Sequence, residues 1–188
     1  MISLCGAERF LIYDLEAERA RSLAGSLGPR ETVEVAIASS LEEVLEGCPL
    51  VSFATTAVQP HVTDLSRCPA GAVLLHISLR DLSPEAILPC DNVVDDVDHA
   101  VRANTSLHLA EQITGRRDFI RCTLADILEG KAPTRRGDGS IAVFSPFGLG
   151  VLDIALGQLL TGAAIATGRG VVIPDFSLNP SIVSNLVH

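Results

Sequence analysis

Aromatic side chains are scarce in this chain of 188 residues: 4% in all, with one Tyr and no Trp. Hydrophobic residues still make up 47%, enough for the core of one ordinary domain, so that core must be aliphatic. Positive charge is also short, with 14 Lys+Arg against 23 Asp+Glu and a net charge of −9. That balance argues against broad contact with a phosphate backbone, and no nucleic-acid partner is expected. Lysine occurs once, as Lys131. The cysteines, Cys5, Cys48, Cys68, Cys90 and Cys122, form no CxxC pair, which removes zinc-ribbon and thioredoxin readings. Reduced, buried or half-exposed thiols of a cytoplasmic protein are expected instead. No basic segment precedes an apolar run at the amino end, and the reading contains no signal peptide, no transmembrane span and no membrane partner.

What is present is an alternation of short apolar strands and helical stretches. Strands are expected at 9–15, 33–38, 50–54, 72–77, 92–95 and 141–144. Helices are expected at 16–27, 41–46, from Ser83, at 97–112, at 123–129 and at 148–167, with a turn or short helix at 60–67 and a basic loop at 130–140. The run at 72–77, apolar but for His76, reads as a parallel strand covered on both faces. The fold class expected is α/β, a Rossmann-like, mainly parallel sheet with helices on both faces. Residues 1–167 read as one domain and 168–188 as a tail.

Chemistry is expected at the carboxyl ends of the strands, where open α/β sheets bind ligands. Asp14 ends the first strand of RFLIYD, where a dinucleotide-binding unit places the carboxylate that holds the adenosine ribose. The same residue, with Glu16 and Glu18, is equally good helix-start chemistry. An acid there disfavours a 2′-phosphate, so NAD is preferred to NADP. Thr55 and Thr56 follow the third strand and bring hydroxyls to the same edge, or make local turn bonds. In LLHISLRDLSPEAIL, Ser78, Arg80 and Asp81 lie just beyond a buried strand. Asp81 there can bind a substrate ammonium or act as general acid and base, or form a surface pair with Arg80. Asp95, Asp96, Asp98 and His99 suggest a metal by composition, but their spacing across a strand end reads as helix-capping acids. Ser145 and Gly148 sit between the last strand and a long apolar helix, where glycine permits close approach of a ligand or tight packing.

Taken in order, the segments FLIYDLEAERA, SFATTAVQPHV, HISLRDLSPEAIL, NVVDDVDHAV, TLADILEGKAP and FSPFGLGVLDIALGQ resemble the ornithine cyclodeaminase/μ-crystallin family. Within it they resemble the branch that makes 2,3-diaminopropionate from N-(1-amino-1-carboxy-2-ethyl)glutamate for siderophores and antibiotics, in which a HISLRD-type segment replaces the GGD of the cyclodeaminases. The resemblance implies an NAD cofactor and an amino-acid substrate. Hydride passes from an amino-acid Cα–H to NAD, and the resulting imine is hydrolysed to 2,3-diaminopropionate and 2-oxoglutarate. It places the ribose acid at Asp14, the threonine-rich cofactor loop at Thr55 and Thr56, the backbone beside the nicotinamide at Ser78, the catalytic acid at Asp81 and the closing loop at Ser145 and Gly148. Arg80 is the candidate clamp for a substrate carboxylate.

Two parts of that family pattern do not occur in these residues. Gly6 is the only glycine before the first strand, so no GxGxxG loop precedes it, and Lys131 does not match the catalytic lysine of the family's substrate domain. In the strand order 3-2-1-4-5-6 the first strand is central. Its loss leaves the strands at 9–15 and 50–54 to pair directly, or to receive a strand from a complementing amino-terminal chain. A homodimer is the other partner expected.

Overall fold

A computed structural model of the chain describes residues 6–27 and 33–171. Seven strands lie among them: β1 (Arg9–Ile12), β2 (Glu34–Ile37), β3 (Leu50–Phe53), β4 (Val73–His76), β5 (Asp91–Val94), β6 (Ile120–Thr123) and β7 (Ala142–Ser145). The helices between them are α1 (Ala17–Leu27), α2 (Leu41–Gly47), α3 (Pro84–Ile87), α4 (Val97–Ala100), α5 (Ser106–Thr114) and α6 (Leu124–Leu128), with α7 (Gly150–Thr167) last. Every strand pairing is parallel. The strands form two sheets, β1-β2 and β3-β4-β7-β5-β6. This is the parallel α/β, Rossmann-like architecture the alternation implied. The direct pairing of the first and third strands does not occur: β1 bonds only to β2, and β3 is an edge strand.

Local chemistry sets the helix starts. Ser40, Ser83, Asp96, Thr105 and Thr123 each accept a backbone N–H of the following turn. The expected helix over 97–112 is two helices, because Ala103 and Asn104 adopt φ of 53° and 55°. Left-handed backbone cannot continue an α-helix, and Thr105 caps a new one, α5. The segment at 60–67 ends in a turn at Ser66 and Arg67 and not in a helix, and Val62 within it bridges in parallel to Leu82. Strand β6 was not expected, since its four residues IRCT carry an Arg and no alternation.

The core is aliphatic, as the composition requires, with Leu74, Leu82, Ile87, Val94, Leu107 and Val143 fully enclosed. Cys68 and Cys90 are buried free thiols, and burial pushes Cys90 up to about 12. At the amino end of the larger sheet, buried Asp91 accepts the Arg121 guanidinium at 2.5 and 3.2 Å and the Arg136 amide at 2.8 Å. The basic loop at 130–140 is thereby fastened to β5 and β6.

The chain divides into two compact units, Met1–Gly148 and Leu149–His188. Within the second, α7 ends at Gly168, whose φ of 61° closes it. Its Val151, Leu152, Ile154, Leu159, Leu160 and Ile165 are all exposed. No spanning segment is expected from the sequence, yet α7, with mean hydropathy 1.4 over 18 residues, is long and apolar enough to cross a membrane by length and composition. Residues 172–188, most of the expected tail, lie outside the described residues.

Candidate active site

The strand order creates the site. Strand β4 alternates, with Leu74 and His76 on the core face. Its neighbour β7 is distant in sequence, and Leu74 faces Val143 across the pair. Two residues further along the same face, His76 meets Ser145, with Nδ1 and Oγ 3.2 Å apart. On the other side β3 pairs Phe53 with His76, and the two rings meet edge to face at 6.1 Å. His76 is thus an imidazole at a core position, 1% exposed.

The turn after β4 brings Asp81 back onto the same ring. His76 Nε2 lies 3.2 Å from Asp81 Oδ2 and also 3.2 Å from the Asp81 amide nitrogen. Asp81 is 0% exposed. Its carboxylate accepts hydrogen bonds from Thr55 Oγ1 and Ser78 Oγ, and His61 Nε2 stands 3.9 Å from Oδ1. Its carbonyl accepts the amides of His61 and Val62, both at 2.9 Å. Burial drives this carboxyl upward, but the hydrogen bonds from His76, Ser78 and Thr55, with the attraction of His76, outweigh it and hold Asp81 at about 2. It is an ionised carboxylate in a buried place, satisfied by hydrogen bonds.

Beside this network lies a shallow recess, open to solvent. His76, Ser78, Thr105, Ser106, Ser145 and Phe147 are among its walls. Ser106 Oγ is buried and has no hydrogen-bond partner, so one wall carries an unmet polar group. The loop that leaves β7 is held open at the rim: Asp95, at the end of β5, accepts the amides of Phe147 at 3.0 Å and Gly148 at 2.7 Å. Gly148 has φ of 100°, which a side chain would strain.

The structure therefore joins four of the expected residues, Thr55, Ser78, Asp81 and Ser145, in one hydrogen-bonded cluster, with Gly148 three residues beyond it. It does not join the others. Asp14 stands past β1 in the two-stranded sheet, and its Oδ1 accepts the Glu16 amide at 2.8 Å, a local helix-start bond. Thr56 is exposed. Arg80 turns away, its Nη2 donating to Ala103 O at 2.9 Å and bracing the left-handed turn before α5. Neither does Arg80 pair with Asp81. The acids at 95–98 are dispersed: Asp96 caps α4, Asp98 binds Arg117 at 2.7 Å and Asp95 holds the rim. Among the described residues no three His, Cys, Asp or Glu side chains gather as a metal site. His76 carries no role in the sequence reading, although a histidine closing the run VLLH was the available signal; Asp95, expected as a helix-capping acid, holds the Phe147 and Gly148 amides instead.

A parallel α/β fold with hydroxyls, a buried carboxylate and a recess at the strands' carboxyl edge defines a Rossmann-type binding domain. The family model for ornithine cyclodeaminase/mu-crystallin matches residues 1–167, and the chain belongs to that family. Comparison with curated proteins finds no match. Among solved structures, the chain is similar to the Thermococcus litoralis Δ1-pyrroline-2-carboxylate reductase, solved with NADH and L-proline. They share 22% identity over 88% of this chain and 53% of that one, with a TM-score of 0.80. It is similar also to an archaeal alanine dehydrogenase dimer with bound NAD, at 19% identity over 93% and 55% of the two chains and a TM-score of 0.75. The iminosuccinate reductase of Paracoccus denitrificans, solved with NAD+, gives 18% identity, 92% and 54% coverage and 0.75. The chain thus spans about half the length of these proteins.

Proposed function

We propose that this chain is the dinucleotide-binding half of an NAD-dependent amino-acid oxidoreductase, and that it belongs to the branch forming 2,3-diaminopropionate. The observation that carries the reading is the buried, ionised Asp81 behind a hydroxyl-lined recess at the carboxyl edge of the sheet. The branch assignment rests on the HISLRD segment: its His76, Ser78 and Asp81 are the residues tied together there. The three similar enzymes, each solved with NAD or NADH, support the cofactor.

The two ends of a nicotinamide dinucleotide would find polar partners here, although these residues include no glycine-rich loop for its pyrophosphate. Ser78 and Ser145 would offer hydroxyls to a ligand in the recess, and Asp14, half-exposed past β1, would offer a carboxylate oxygen to ribose hydroxyls. NAD, when bound, supplies a hydride acceptor. The chain's own residues position the site: Asp81 fixes Thr55, Ser78 and His76, and Asp95 fixes the Phe147–Gly148 rim. The substrate is an amino acid, oxidised at Cα to an imine and then hydrolysed.

The free edges of β1 and β3 support a complementing amino-terminal chain, whose added strand would find parallel partners in both. A homodimer is the alternative assembly, as in the archaeal alanine dehydrogenase. A cytoplasmic location goes with this reading. The test is NADH formation from N-(1-amino-1-carboxy-2-ethyl)glutamate by the chain mixed with the amino-terminal half of a family member. Appearance of 2-oxoglutarate in step with NADH is expected. NADH formation from proline or alanine but not from this substrate would overturn the branch. No turnover with any amino acid, although the two chains associate, would favour a fold-retaining accessory subunit.

A further inference from the structure

Asp81 has no exposed surface, so its carboxylate cannot itself meet a reacting group in the recess. Two routes lead outward. Ser78 donates to Asp81 and lines the recess, but a hydroxyl bonded directly to a carboxylate is committed as a donor. The other route runs through a ring that can hold a proton on either side. Ser145 Oγ, His76 Nδ1, His76 Nε2 and Asp81 Oδ2 form an unbroken series with both junctions at 3.2 Å.

We propose that His76 and Ser145 are a proton relay between the recess and Asp81, with His76 as the positioning residue and Ser145 the group that faces the ligand. This rests on the oxidoreductase reading above. Oxidation of an amine Cα–H to an imine sends the hydride to NAD and releases one proton from nitrogen. That proton goes to Ser145 Oγ, and the Ser145 hydroxyl proton goes to His76 Nδ1. The ring, already protonated at Nε2, becomes an imidazolium whose charge Asp81 balances. Return of the proton to water in the recess restores the neutral ring, and no net proton is retained.

Geometry favours exchange over a fixed bridge. With the proton on Nε2, the ring donates to Asp81 Oδ2 and Nδ1 accepts from Ser145. With it on Nδ1, the ring donates to Ser145 and Nε2 accepts the Asp81 amide, also 3.2 Å away. Each form meets one Asp81 group and opposes the other: Nε2–H faces the Asp81 amide N–H, and bare Nε2 faces the ionised Oδ2, so the two contacts together fix neither form. The neighbouring elements add no competing charge: β3 presents Phe53, the loop after it Thr55, β7 Ser145 and the α5 start Thr105 and Ser106. Among the described residues, His61 stands 3.9 Å from Asp81, Asp95 and His99 meet the recess only through Phe147 and Gly148, and Arg80 is turned to Ala103. An acyl-transfer triad is a poor description. The serine faces Nδ1 rather than Nε2, and the Phe147 and Gly148 amides that would serve an oxyanion are held by Asp95.

The test uses the full chain labelled with 15N-histidine. NMR of the His76 nitrogens reads where the proton sits, in wild type, Ser145→Ala and Asp81→Asn, across neutral pH. Expected are averaged signals from both forms in wild type, movement toward Nε2–H in Ser145→Ala and toward Nδ1–H in Asp81→Asn. Ser145 is only half-buried, so its alanine variant keeps the relay testable if Asp81→Asn fails to fold. One nitrogen holding the proton in all foldable variants would overturn the relay and leave His76 a static strut. In the assembled enzyme, Ser145→Ala should lower the NADH-forming rate by ~10²-fold and change its pH profile, with KM little altered. Proton exchange without turnover would retain the relay and count against the oxidoreductase reading. Turnover with an unchanged pH profile in Ser145→Ala would count against the relay alone.

Discussion

Asp14 and Asp81 occupy the same kind of place, just past the carboxyl end of a parallel strand, and the chain treats them in opposite ways. Asp81 is fully enclosed, with Thr55, Ser78 and His76 converging on it from two strand ends and a turn. Asp14 is half-exposed and holds one amide two residues away. The difference follows from their sheets. The larger sheet has five strands, and its central pair, β4 and β7, stacks polar residues where the apolar ladder ends. The smaller sheet has two strands and encloses little. A carboxylate in the first setting is part of the fold; in the second it is free for a ligand.

The contrast breaks or sharpens under substitution. Asp81→Ala strips three donors of their acceptor inside the protein and should cost about 3–5 kcal/mol in urea unfolding. A loss under about 1 kcal/mol would mean that the cluster is not closed. Acid provides the next largest effect. Because the folded-state value of Asp81 lies near 2, below the ordinary 3.8, its contribution is present above about pH 4 and is lost as pH falls through 2. That contribution is roughly 2 kcal/mol. Urea midpoints of wild type should fall over that window, and those of Asp81→Asn should fall less by this amount. At the rim, Asp95→Ala frees the Phe147 and Gly148 amides and should cost ~1 kcal/mol, with faster hydrogen exchange at those two positions. Asp14→Ala should have the smallest effect on stability, ~0.5–1 kcal/mol, the loss of one local helix-start bond. Equal losses for Asp14→Ala and Asp81→Ala would end the comparison.

Most of the fold was legible because its signals are local. Apolar runs such as AVLLHI and caps such as Ser83-Pro84-Glu85 need only neighbouring residues. What escaped depends on distant partners or on backbone geometry. Strand β6 exists because β5 offers an edge to IRCT, and the break between α4 and α5 comes from positive φ at Ala103 and Asn104. The site divides the same way. Thr55, Ser78, Asp81 and Ser145 were visible as polar residues at strand ends. Their convergence required β7 to lie between β4 and β5, a strand order that no local pattern encodes. His76 was passed over for that reason, since its meaning depends on Ser145, 69 residues away. Arg80 looked like a clamp beside Asp81 and is instead spent on a turn.

The central claim is that these two carboxyl edges together form a dinucleotide site, with Asp14 at the ribose and the Asp81 cluster at the reactive end. Titration with NADH tests it most directly, and because the chain has no Trp, the emission followed is that of NADH itself. The chain is titrated alone and together with a complementing amino-terminal half. The account expects saturable enhancement in the completed pair, abolished by Asp14→Ala. Absence of saturation in both arrangements, or binding indifferent to Asp14→Ala, would contradict it.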